Sequence, residues 1–121
     1  IPYDSSYPQD YSTLDTEDRY LYGESELDVL YDFQTLDMTG AQLLNPDYGE
    51  EYDDNYEGYC MVQLYNYQTG QYDDVFTSGG TVTDLTPYLN EENWMVVRYY
   101  TDQPDAWGGA APKLTLVGGE R

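Results

Sequence analysis

The chain has 121 residues, enough for one domain and too few for two ordinary ones. Its 24 Asp and Glu against 4 Lys and Arg give a net charge of −20, which excludes phosphate-neutralising contact with nucleic acid and disfavours anionic membrane surfaces. With no histidine, Cys–His and Ser–His catalysis and histidine metal sites are excluded, and no apolar run approaches the ~20 residues of a membrane-inserting helix.

Tyrosine dominates the apolar content: 16 residues against 2 Phe and 2 Trp. A tyrosine ring packs on a core while its hydroxyl stays wet, which suits half-buried strands. Residues 1–22 are polar, with Pro2 and Pro8, and read as an extended lead-in or an edge strand. RYLY at 19–22 is their strand-like part. The sandwich domain is expected over 23–121.

ELDVLYDFQ, 26–34, alternates at all but one position. Leu27, Val29, Tyr31 and Phe33 fall on one face, Glu26, Asp28, Asp32 and Gln34 on the other, with Leu30 the exception. Period two predicts a half-buried strand with an acidic outer face. Gly40 marks a turn. Residues 45–58, NPDYGEEYDDNYEG, read as a loop by every local rule.

A strand is predicted over YCMVQLYN, 59–66, with Cys60, Val62 and Leu64 inward. Cys60, the lone cysteine, reads as a small buried hydrophobe. Thr69-Gly70 predicts a tight turn, and YDDVFT returns as the second arm of a hairpin. TVTDL is short and strand-like.

DLTPYLNEENWMVVRYY, 84–100, predicts one helical turn running straight into a strand. Asp84 or Thr86 is placed to accept the turn's free N–H groups, Pro87 fits the first helical turn, and Asn90 is expected to end it in a left-handed conformation. Met95, Val97 and Tyr99 then face one way, and Trp94, Val96, Arg98 and Tyr100 the other. Both faces are rather apolar, as in a strand covered on both sides. After a loop at 101–112, KLTLVGG is a last strand.

About seven strand signals and no long helix make this an all-β chain, an antiparallel β-sandwich. Long connections favour a Greek-key or jelly-roll topology over a meander. Asp84, Thr86, Tyr88, Leu89 and Asn93, followed by inward Met95, Val97 and Tyr99, resemble a segment of galactose-binding-like jelly rolls. The likeness is nearest to the non-catalytic sugar-binding domain of β-galactosidase-type glycoside hydrolases. It spans about a seventh of the chain, and Glu92 stands where that family usually has glycine. The resemblance implies a one-turn connector whose Tyr/Leu pair caps the core. The matching residues are structural in that family, so it implies no ligand contacts.

Two candidate sites follow from residue types. Sugars stack on flat aromatics while carboxylates bind their hydroxyls, which singles out Trp107 beside Asp105, with Tyr100, Asp102, Tyr56 and Tyr72 bordering the same end of the sandwich. Hard oxygen ligands select calcium, which singles out Asp47, Glu50, Asp53 and Asp54 for a structural ion. That loop is not an EF-hand: counted from Asp53, the twelfth position is Leu64, where a bidentate glutamate is required.

The expectation is a non-catalytic, carbohydrate-binding accessory module, not an enzyme. Beginning IPYDSS without methionine or a signal-peptide pattern, it reads as a piece of a longer bacterial protein, secreted or held at the cell surface. Its partners are then polysaccharide or other domains of the parent chain. The alternative is a structural or protein–protein interaction sandwich without a small ligand, docking through Trp94, Val96 and Tyr100 if that face is exposed.

Overall fold

The computed structural model describes residues 13–14, 20–21, 25–47, 61–75, 81–101, 109–110 and 113–118. They form nine strands: β1 (Thr13–Leu14), β2 (Tyr20–Leu21), β3 (Ser25–Asp32), β4 (Gln42–Asp47), β5 (Met61–Asn66), β6 (Gln71–Asp74), β7 (Trp94–Thr101), β8 (Gly109–Ala110) and β9 (Lys113–Val117). One 3-10 turn, Thr86–Tyr88, interrupts them. The chain is all-β. Its antiparallel sheets run β3-β7-β5-β6, β1-β9-β4 and β2-β8.

Period two does the work expected of it. In β3, Val29 and Tyr31 are 1% and 2% exposed, while Glu26 on the opposite face is exposed. In β7, Met95, Val97 and Tyr99 are fully buried, and in β5 so is Leu64. These side chains meet Leu14, Leu43, Leu114 and Leu116 of the three-stranded sheet in one cluster, so two sheets share a core as in a sandwich. Within it the hydroxyls of Tyr31 and Tyr99 hydrogen-bond at 2.9 Å, which keeps two polar tips satisfied in an apolar interior.

Four local expectations need correction. The loop expected at 101–112 is not loop throughout: Thr101 ends β7, and Gly109–Ala110 form β8, paired with β2. Asn45 and Pro46 lie within β4, not in a loop, and the pairing with β9 shifts register between Leu44 and Asp47. Proline lacks an amide donor, so it is tolerated on an edge strand at such an irregularity, and β4 is an edge strand. Asn90 does not end the 3-10 turn in a left-handed conformation; extended Leu89 does, and the left-handed residue is Asn93, at φ +67°. TVTDL contributes a single bridge, Val82 to Leu43, rather than a strand.

Around the 3-10 turn, Asp84 accepts the Thr86 N–H at 3.0 Å, as its position predicts. Leu85 is buried, and Tyr88 and Leu89 pack against the core cluster from its margin. The turn is stapled to the hairpin by Tyr67 N–H to the Pro87 carbonyl (2.9 Å) and by the Tyr88 hydroxyl to Asp73 (3.0 Å). Gly70, at φ +75°, closes the predicted β5–β6 turn, with its N–H on the Asn66 carbonyl.

Candidate functional site

The outer face of the four-stranded sheet, turned away from the core, gathers the polar and aromatic side chains. Register sets the rows. Glu26, Tyr100 and Met61 stand side by side across β3, β7 and β5, and Asp28, Arg98, Gln63 and Asp74 across all four strands. One row further, Leu30 pairs with Val96, and Tyr65 pairs with Tyr72.

Arg98 organises the middle of this face. Its Nε donates to Asp28 Oδ1 at 2.8 Å and its Nη2 to Asp28 Oδ2 at 3.1 Å, a bidentate fork. The guanidinium carbon lies 3.6 Å from the centre of the Tyr72 ring, a cation–π contact, and Glu26 stands 3.8 Å from Nε. The Tyr72 hydroxyl donates to the same Asp28 at 3.2 Å. The bond to Asp28 raises the Arg98 pKa further, so the group is permanently charged. Burial first, and the Asp28 charge second, push the Tyr72 phenol upward.

A second polar centre adjoins it. Asp74 Oδ1 accepts from Gln63 Nε2 at 2.8 Å and from the Tyr100 hydroxyl at 3.1 Å. Tyr65 makes edge-on contacts with Tyr72 and with Tyr67 at centroid distances of 5.2 and 5.0 Å. Large side chains thus crowd the small Leu30–Val96 pair. Leu30 is 7% exposed and Val96 fully buried, although neither belongs to the inner core cluster. This accounts for Leu30 breaking the alternation of β3, and for the apolar second face of β7.

Of the residues expected to bind sugar, Tyr72 and Tyr100 come together here, on a sheet face. Trp107, Asp102, Asp105 and Tyr56 lie outside the described residues. So do Glu50, Asp53 and Asp54 of the expected calcium site and Cys60, expected to face inward; Asp47 is described in its backbone, in register with Lys113. The docking surface expected from Trp94, Val96 and Tyr100 is not an exposed apolar patch. Val96 is buried, the two aromatics are half-buried, and among the described residues the exposed large hydrophobic is Val117.

Arg98, Asp28, Gln63 and Asp74 were not singled out by residue type. One signal pointed to the first two: a cation inside an alternating strand, in a chain with four cations, will find a carboxylate on a neighbouring strand. Which carboxylate depends on strand order.

A concavity of about 660 Å³ lies apart from this face, between the turn after β3 and the connector before β7. Asp37 and Asp84 stand at its rim, each held below the usual carboxylate range by a backbone N–H, from Thr39 and Thr86 respectively. Among the described residues no three acidic, thiol or imidazole side chains converge as a metal site would require. No described helix is long and apolar enough to cross a membrane. Comparison with protein-family models, with curated proteins and with solved structures finds no match to this chain.

Proposed function

We propose that the chain is a non-catalytic accessory module of an extracellular or surface protein and that the outer face of its four-stranded sheet binds carbohydrate. The observation that carries this reading is the joining of half-buried tyrosines, Tyr65, Tyr72 and Tyr100, to a fixed carboxylate–amide pair, Asp74 and Gln63. Pyranose rings need apolar faces with hydroxyl acceptors and donors at their edge. Here both lie on one sheet, and their geometry is set before any ligand arrives, which limits the ordering cost of binding. One face of the Tyr72 ring is occupied by Arg98, so the stacking surface falls mainly to Tyr65 and Tyr100.

The nested pairing of β1 with β9, β2 with β8 and β3 with β7 supports a jelly-roll arrangement of the galactose-binding-like kind. A second reading, a domain–domain or protein–protein module, is favoured by the net charge of −20, which suits a basic partner. Pull-down on insoluble polysaccharides and a glycan array, with wild type beside Tyr100→Ala and Asp74→Ala, separate the two. Retention that both variants lose supports the carbohydrate platform. Absence of retention by wild type, or equal retention by the variants, removes it.

A further inference from the structure

We propose that this face selects its glycan by charge, favouring sugars with free ammonium groups and rejecting uronates and sulfated sugars. The inference rests on the carbohydrate reading above and narrows its ligand class.

An arginine on an aromatic platform is ordinarily the receptor for a sugar carboxylate, because its fork matches two oxygens at once. Arg98 is the cation on this face among the described residues, and its Nε–Nη2 edge is already taken by a carboxylate. Nε and Nη2 hold Asp28 at 2.8 and 3.1 Å, and its planar surface lies against Tyr72 at 3.6 Å. An anionic sugar would meet a guanidinium whose charge Asp28 already balances, with further negative charge around it.

The carboxylates offered outward are of the opposite kind. Asp74 is exposed; its Oδ1 is engaged by Gln63 and Tyr100, while Oδ2 accepts nothing from the described residues. The Glu26 side chain is 62% exposed and stands in register with Tyr100 on the neighbouring strand. Tyr100 is therefore bracketed by Glu26 beside its backbone and Asp74 at its hydroxyl. A sugar ring settled on Tyr100 has acceptors on two sides, and three carboxylates (Glu26, Asp28 and Asp74) oppose one guanidinium. Ammonium substituents on that ring gain from both exposed carboxylates, neutral hydroxyls gain less, and carboxylate or sulfate substituents are repelled.

Calorimetric titration with four oligomers tests this: the β-linked oligomers of glucosamine in its protonated form, N-acetylglucosamine and glucose, and the α-linked oligomer of galacturonate for the anionic class. The glucosamine oligomer is expected to bind at least about threefold more tightly than the neutral ones, galacturonate not measurably, with the gap closing in 1 M salt. Asp74→Asn with Glu26→Gln should erase the glucosamine advantage, so that the glucosamine and neutral oligomers bind equally at whatever affinity remains. Glu91→Gln, outside this face, controls for the overall charge and should leave the advantage intact. Galacturonate binding as tightly as glucosamine, or an advantage that survives the double variant, overturns the charge selection and leaves the platform standing. Absence of binding by all four oligomers overturns both.

Discussion

Asn93 donates from its side-chain Nδ2 to the carbonyl of Leu36 at 2.8 Å, tying the residue just before β7 to the turn that follows β3. The same amide reaches the Gln34 carbonyl at 3.4 Å, and the Asn93 backbone carbonyl accepts the Phe33 N–H at 3.1 Å. A left-handed residue at the mouth of the sheet thus closes the end of the β3–β7 pair. Asparagine is suited to the place because it tolerates φ +67° and carries the donor.

The two contributions are separable. Asn93→Gly keeps the conformation and loses the amide, whereas Asn93→Ala loses both. Alanine is expected to cost about 1 kcal/mol more than glycine, read from urea midpoints. Equal destabilisation would mean that the backbone conformation contributes nothing.

The fork of Arg98 on Asp28 makes a second expectation. Arg98→Met keeps the apolar stem over the sheet but leaves a half-buried carboxylate without its cation, at a cost of about 1–2 kcal/mol. Arg98→Lys should fall between wild type and methionine, since an ammonium cannot reproduce the fork or the stacking on Tyr72. The pair Arg98→Met with Asp28→Leu should be more stable than Arg98→Met alone, because an orphaned charge is worse than none. A double variant less stable than the single one would refute that account of the cluster.

Alkaline pH probes Tyr88. Its phenol is pushed up to about 12, first by burial and then by its hydrogen bond to Asp73. Unfolded, it titrates near the ordinary value of 10, so between these limits the folded chain holds the proton that the unfolded chain releases. The stability it contributes is complete below pH ~10 and is lost as the pH rises towards ~12. Absorbance titration at 295 nm should show a late-ionising phenol that Tyr88→Phe removes, and the variant's stability should fall less steeply over that range. A titration curve unchanged in the variant would count against the assignment.

Much of the sheet framework was legible because half-burial imposes alternation directly on residue choice, as in Leu27, Val29 and Tyr31 or Met95, Val97 and Tyr99. The hairpin at Thr69-Gly70 was legible because a positive φ there calls for glycine. Asn45 and Pro46 misled because their local preference for a turn is overridden by the pairing of Leu44 and Asp47, on either side of them, with β9. Two-residue strands such as β1 and β8 are too short to carry a period, and Leu14, 1% exposed, gave no local sign of being core. The Arg98–Asp28–Tyr72 cluster was illegible for a different reason: its members lie on three strands whose neighbour relations follow from the strand order, and no residue pattern states that order.

The central place of β7 has a consequence for how the chain acquires its structure. Asp28 and Arg98 are 70 positions apart, and of the pairings among described strands only β5 with β6 joins consecutive ones. Contact order is therefore high, and the β5–β6 hairpin is the natural place for assembly to begin. During synthesis β3 and β5 must both wait for one late strand to arrive between them, and a chain cut short before Trp94 would present their β7-facing edges, and the β9-facing edge of β4, unsatisfied to its neighbours.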